Sequence, residues 1–393
     1  MKQLEAHTDV TLTYQDAVRA CIRCCENNNI NFAFWKEPQT SAINLIVDFN
    51  QTNFVESVDL ESSDSGFLLA PFDSSKPKIF INKQMHIKWE AERISVDAHN
   101  KESQQFLEYL QNYEDVQDYN FNLRQDTESS ENYKSLVEES VNEIKAGNLT
   151  KVVPSRLRKI KFKGNFNHGQ YFHQLVSSYP SAFISLTYTH ESGIWIGATP
   201  ELLIQTAGDT FKTVSLAGTQ PFNEYQPLAD TAWTQKEIEE QALVSRYIIN
   251  CFKKIRLREF DEHGPKTIKA GNLIHLKTEF MVNMKETNFP ELGTTMLKLL
   301  HPTSAVCGMP LKPATEFLLA KEGYDRELYT GHLGPVNMNG HTAQYVNLRC
   351  FKIEEDHFTF FAGAGVTEDS NPEKEWLETE LKMNTLLNVI KSI

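Results

Sequence analysis

Four glutamates carry the first chemical signal in this chain. Glu237 and Glu240 stand three residues apart where the pattern predicts a helix over about 234 to 254, so they share one face of it. Glu375 and Glu378 repeat the spacing in a predicted terminal helix, 373 to 391, with Lys382 four residues beyond Glu378. Two helices that each present a carboxylate pair can hold Mg²⁺, which takes one or two carboxylates and completes its shell with water and substrate oxygens. On spacing alone the competing reading is the stronger: helical glutamates are usually solvated, and Glu378–Lys382 has the spacing of an ordinary surface ion pair.

Lys151 and Glu201 are the second signal. Lys151 begins a predicted strand directly after an amphipathic helix, and Glu201 follows Pro200 in Gly197-Ala198-Thr199-Pro200-Glu201. A lysine and a glutamate can divide the work of base and acid only where burial or a nearby cation brings the lysine down from about 10.4. Taken singly, both read as surface charges. Phe361-Ala362-Gly363-Ala364-Gly365 ends a strand with two glycines, which lets backbone N–H groups approach an anion; a tight bend is the plainer explanation. It is no dinucleotide fingerprint, since the third glycine and the following βαβ unit are missing. His275 and His301 lie in apolar stretches and read as hydrogen-bonded core histidines. Cys21, Cys24 and Cys25 alternate with Val18 and Ile22 on a predicted helix, so packed thiols are expected rather than a zinc site.

The elements that must position these groups follow from periodicity. A helix is expected over 11 to 28, ending in an Asn-rich turn at Asn27 to Asn29, then short strands to about Trp89 and an exposed connection over 114 to 130. Tyr133, Leu136, Val137, Val141 and Ile144 give the stripe of a helix over Ser129 to Asn148 that Gly147 stops, and a strand over Lys151 to Arg156 follows. Strands are expected at Phe183 to Tyr188, Gly193 to Ile196, Leu202 to Thr206 and Thr210 to Leu216. Asn339-Gly340 joins Leu333 to Met338 with a strand over Gln344 to Ile353, and Phe358 to Phe361 completes a meander. A further helix is predicted at 313 to 321. The fold class is α+β: one large domain of antiparallel sheets packed as a sandwich, with helices outside.

Bulk properties exclude several classes. At 393 residues, 40% hydrophobic and 23% charged, the chain has the make-up of a globular protein. A net charge of -13 argues against nucleic acid, and the basic run Arg156, Arg158, Lys159, Lys161, Lys163 reads as a solvated face. No run approaches the roughly 20 apolar residues of a membrane span, and the first residues lack the apolar core of a signal peptide, so a cytoplasmic protein is expected.

Eight blocks stand in order along the chain: Lys151 to Arg156, Gly197 to Leu202, Leu216 to Thr219, Leu300 to Thr303, Tyr324 to Gly331, Leu348 to Cys350, Phe361 to Gly365 and Glu375 to Lys382. Read together, they resemble the chorismate-utilising enzymes. The resemblance runs from about Ala146 to Leu387, so residues 131–393 form the expected catalytic part and 1–130 match only loosely. It implies Mg²⁺ on Glu240 and Glu378, with Glu237 and Glu375 as neighbours that bind through water. It also implies that Arg349, Gly363 and Lys382 hold substrate carboxylates while Gly218, Thr219 and Ala305 line the pocket. Lys151 is then the base and Glu201 the acid.

Among family members, anthranilate synthases usually carry Gln where Lys151 stands, and aminodeoxychorismate synthases of the bacterial type a lysine where Ala217 stands. Isochorismate synthase is therefore the expected activity and salicylate synthase the runner-up, in menaquinone or siderophore biosynthesis. No glutamine amidotransferase subunit is expected. Gln241, where many members have His, and Pro154, where Leu is common, depart from the pattern. A family-shaped binding protein without catalysis is the competing class, and retention of all six groups Lys151, Glu201, Glu240, Glu378, Arg349 and Lys382 argues against it.

Overall fold

The computed structural model describes residues 12–25, 30–115, 117–124, 129–270 and 273–393. Its first part runs α1 (Tyr14–Cys25), β1 (Asn31–Lys36), β2 (Ile43–Asp48), β3 (Phe54–Val55), β4 (Gly66–Ala70), β5 (Lys78–Asn82), β6 (Met85–Glu90), β7 (Arg93–Asp97), α2 (Lys101–Gln111) and β8 (Asn122–Leu123). Then come α3 (Glu131–Lys145), β9 (Lys151–Val152), β10 (Ser155–Lys163), α4 (His168–Ser178), β11 (Phe183–Thr189), β12 (Gly193–Thr199), β13 (Leu202–Ala207), β14 (Thr210–Pro221) and α5 (Gln235–Lys254). The rest is β15 (Asp261–Ala270), β16 (Leu273–Asn283), α6 (Leu292–Leu300), β17 (Gly308–Met309), α7 (Leu311–Lys321), β18 (His332–Val336), β19 (His341–Val346), β20 (Cys350–Ile353), β21 (His357–Gly363) and α8 (Pro372–Ile390).

Two large antiparallel sheets dominate. A ten-stranded sheet has the order β7-β6-β2-β1-β11-β12-β20-β21-β10-β8, and a nine-stranded sheet the order β15-β16-β14-β13-β19-β18-β4-β5-β3. Strand β1 shows why they stack. Its residues alternate between two apolar environments: Phe32 and Phe34 pack under α1, α4 and α8, whereas Ala33 and Trp35 meet Phe67, Leu69 and Ile81 of the other sheet. Phe183 of β11 stacks on Tyr345 of β19 across the same interface, ring centroids 4.0 Å apart. Helices α5 and α6 cover the outer face of the nine-stranded sheet through Ile248, Phe252 and Met296. The result is four layers: helix, sheet, sheet, helix.

Several sequence expectations are corrected. The strand expected over Lys151 to Arg156 is two strands, because Val153–Pro154 changes partners: β9 pairs with β17 and β10 with β21. The strand expected over Gln344 to Ile353 also breaks, at 347–349, and its halves join different sheets. The basic run is strand β10 itself. Its alternate residues Lys159, Lys161 and Lys163 are exposed, but Arg156 is buried, donating to Thr379 Oγ1 at 2.7 Å, pairing with Glu380 and lying over the Trp376 ring. The connection at 114 to 130 contains β8, which pairs with the end of β10. The turn expected at Asn27 to Asn29 lies outside the described residues. Helices α2, α4 and α6 and the β15–β16 hairpin had no expectation. Cys21 and Cys24 are buried free thiols, and Cys25 is half-buried. Among the described residues no helix is long and apolar enough to cross a membrane.

Candidate active site

A cavity of about 220 Å³ opens where strands cross from one sheet to the other. Glu201 stands on one such crossing, just after β12 of the ten-stranded sheet and before β13 of the nine-stranded one. Arg349 stands on another, between β19 and β20, with a left-handed φ of +44° that a non-glycine residue adopts only under local constraint. Backbone bonds lock both turns: Val346 N–H donates to the Glu201 carbonyl at 3.0 Å, and Ala198 N–H to the Arg349 carbonyl at 2.9 Å. Glu201 is buried, and burial pushes its carboxyl up to about 7 against the pull of Arg349, Lys151 and Lys382. It therefore keeps a proton to give near neutrality.

The third wall is β14, where a bulge between Ala217 and Thr219 puts Gly218 at φ +70°. His275 Nδ1 lies 3.0 Å from the Gly218 carbonyl and 3.2 Å from Thr219 Oγ1. A carbonyl can only accept, so Nδ1 carries the hydrogen and Nε2 keeps its lone pair. The ring stays neutral, since burial and the charge of Arg349 lower it to about 4. The sequence reading of His275 as a core residue is thus incomplete: it is buried and bonded, and it also lines the cavity. His301 does fit that reading, with Nε2 3.1 Å from the Pro71 carbonyl.

Helices α5 and α8 bring the acidic residues. A capping box starts α5, in which Glu237 Oε2 accepts from Thr234 N and Oγ1 and also from Gln220 Nε2 at 2.8 Å, so one oxygen of Glu237 is committed to structure. Glu240 Oε1 takes the Lys151 ammonium at 2.9 Å. Burial alone would raise the Glu240 carboxyl, but Lys151 and Lys382 overcome it and hold the group at about 2. From α8, Glu378 pairs with Lys382 at 2.7 Å, and Lys382 Nζ also donates to the Gly363 carbonyl at 2.8 Å. Glu375 is buried beside Lys236 Nζ at 3.6 Å, and burial raises its carboxyl.

Ten residues singled out in the sequence line this one cavity: Glu201, Gly218, Thr219, Glu237, Glu240, Ala305, Arg349, Gly363, Glu378 and Lys382. Lys151 and Glu375 do not. Lys151 sits behind Gly365, where an added Cβ would come within 3.2 Å of Lys151 Cε and 3.4 Å of Glu240 Oε1. Lys236, His275, Tyr329 and Thr330 also line it without having been assigned to it: Tyr329 and Thr330 lie in the block Tyr324 to Gly331, which marked their stretch but not their role, His275 was read as a core residue, and Lys236 has no local signal. Among the described residues no three acidic, His or Cys side chains are gathered as a ready-made metal cage. The donor set still suits a hard divalent cation that needs only one or two carboxylates, since Glu240 and Glu378 face the same space, each now partnered by a lysine.

Comparison with known proteins gives a consistent picture. The family described as chorismate binding enzyme matches residues 21–391. The isochorismate synthase EntC of Escherichia coli (strain K12) is 32% identical over 244 residues, which cover 61% of this chain and 62% of that protein. The vibriobactin-specific isochorismate synthase of Vibrio cholerae is 28% identical over 265 residues, 66% of each chain. In three dimensions the chain is similar to MenF, the menaquinone-specific isochorismate synthase from Escherichia coli, with a TM-score of 0.78 at 18% identity, covering 97% of this chain and 92% of that one. That last likeness is one of fold.

Proposed function

Because this chain belongs to the chorismate binding enzymes, we propose that it is an isochorismate synthase, converting chorismate to isochorismate without an amidotransferase subunit. The observation that carries the reading is Glu201: a buried carboxyl that holds its proton to about 7 in a cavity lined by Arg349 and Lys382. Such a group is suited to protonate a departing hydroxyl. Glu240 and Glu378 would hold Mg²⁺, which when bound offsets the charge of a substrate carboxylate. Arg349 and Lys382 grip the other carboxylate, Arg through its planar fork and Lys as a point charge.

With the ring so held, Lys151 in its neutral amine form, set beside Gly365 of the cavity wall, takes a proton from a water whose oxygen bonds to ring C2. The C1–C2 π pair moves to C1–C6, the C5–C6 pair moves to C4–C5, and the C4–O bond breaks. The hydroxyl leaves as water with the proton of Glu201, so one water enters and one departs. Fixed orientation of the two carboxylates supplies the proximity the step needs.

Incubation with chorismate and Mg²⁺, followed by product separation, tests this. Isochorismate is expected. Salicylate with pyruvate, an aminated product in the presence of ammonia, or unchanged chorismate each overturns the assignment.

A further inference from the structure

Three separate stretches of chain that form one side of the cavity have no common sheet. Val153 follows β9, Val306 lies in the loop before β17, and Thr330 follows α7. A two-residue ladder joins the first two, and Thr330 has its backbone bond elsewhere, to Asn347.

All three meet at one buried guanidinium. Arg326 is 3% exposed, is absent from the cavity lining, and has a partner for each of its five N–H groups. Nε donates to Glu322 Oε2 at 2.7 Å, and Nη2 donates to Glu322 Oε1 at 2.5 Å and to the Val153 carbonyl at 2.7 Å. Nη1 donates to the Val306 carbonyl and to Thr330 Oγ1, both at 3.0 Å. Glu322 extends the cluster, because its Oε1 also accepts from Ser155 N at 2.7 Å and Oγ at 2.9 Å, and Ser155 pairs with Gly363 in the β10–β21 ladder. The Phe72 ring lies 4.2 Å from the guanidinium carbon.

A buried ion pair is weak evidence of a stability role, since well-packed apolar replacements often do as well. What stability does not require is the choice of acceptors: every one outside Glu322 belongs to a cavity-lining residue. A planar fork with all donors used fixes the three stretches in one geometry. We propose that Arg326 is a positioning residue for the reaction above, setting the wall at Val153, two residues from Lys151, against the walls at Val306 and Thr330. The assignment rests on that reading of the cavity as a chorismate site.

The test separates positioning from stability. Arg326→Met combined with Glu322→Leu removes both charges and fills their volume. A merely structural pair predicts that a folded double variant works normally. Positioning predicts a folded protein with kcat lowered 10- to 100-fold and KM within about threefold, because Arg349 and Lys382 are untouched and a misplacement near 1 Å costs about that factor. Parental kcat in the folded double variant overturns the proposal. Should that variant fail to fold, Thr330→Val decides: a several-fold loss of kcat at unchanged melting temperature supports the bracket, and unchanged kcat overturns it. A parent protein that consumes no chorismate overturns both this and the function; one that makes another product from chorismate overturns only the proposed reaction, and the same kcat comparison still decides on Arg326.

Discussion

Glu201 links chemistry to stability in a way that can be measured. Its carboxyl rises from 4.5 to about 7 on folding, so the folded chain binds that proton more tightly than the unfolded one. The stabilisation is full below 4.5 and is lost as pH rises through about 7, at about 1.4 kcal/mol per pH unit between the two values. Glu201→Gln abolishes this loss. Its melting temperature relative to the parent should climb between pH 5 and pH 8, while turnover drops about 100-fold or more, the lower bound of the usual range for general acids. In the parent, kcat/KM should decline above about pH 7 as the acid form disappears; a profile that keeps rising there would exclude Glu201 as the donor. Glu378→Ala should raise the Mg²⁺ concentration needed for half-maximal turnover about tenfold or more, and an unchanged metal titration would remove Glu378 from the ligand set. The Glu378–Lys382 pair was readable locally from its spacing, whereas Lys151 and Glu240, 89 positions apart, meet only through the tertiary fold.

At the level of elements, helices α3, α5 and α8 were legible because their apolar stripes and caps are local. Tyr133, Leu136, Val137 and Ile144 are the buried side of α3, and Gly147 stops it at φ +79°. The breaks that build the cavity were illegible for an equally physical reason. Gln344 to Ile353 reads as one strand, and only the left-handed turn at Arg349, a residue type that does not announce it, sends the chain into the second sheet. Gly365 on the segment after β21 leaves little clearance, since a methyl group there would crowd Lys151 Cε at 3.2 Å and touch Glu240 Oε1 at 3.4 Å. Gly365→Ala should therefore cut kcat about tenfold or more with little change in melting temperature. Steady-state kinetics beside a thermal melt would expose the opposite pattern.

Across the molecule, the described part of the first 130 residues is interleaved with the rest. Strand β1 lies between β2 and β11, and β4 pairs with β18, so each large sheet draws strands from both parts of the chain. Expressed alone, residues 131–393 should show no cooperative unfolding transition by circular dichroism; a folded fragment would contradict this dependence. Phe183→Ala in the intersheet core should cost about 3–5 kcal/mol in a chemical denaturation experiment, the usual range for a buried phenylalanine. The fold class followed from alternation and turn residues, whereas the cross-pairing of early and late strands has no sequence period and had to come from three-dimensional packing.

The turns that bear Glu201 and Arg349 are fastened by the Val346 and Ala198 amides and by the Thr199 hydroxyl, which accepts from Glu201 N and donates to the Val346 carbonyl. The Glu201 and Arg349 side chains take no part in that fastening, so another side chain that tolerates the local backbone leaves the same amides satisfied. Variation in reactivity can thus accumulate at the seam while the layered framework stays constant, which makes this scaffold tolerant of new chemistry at little cost to its shape.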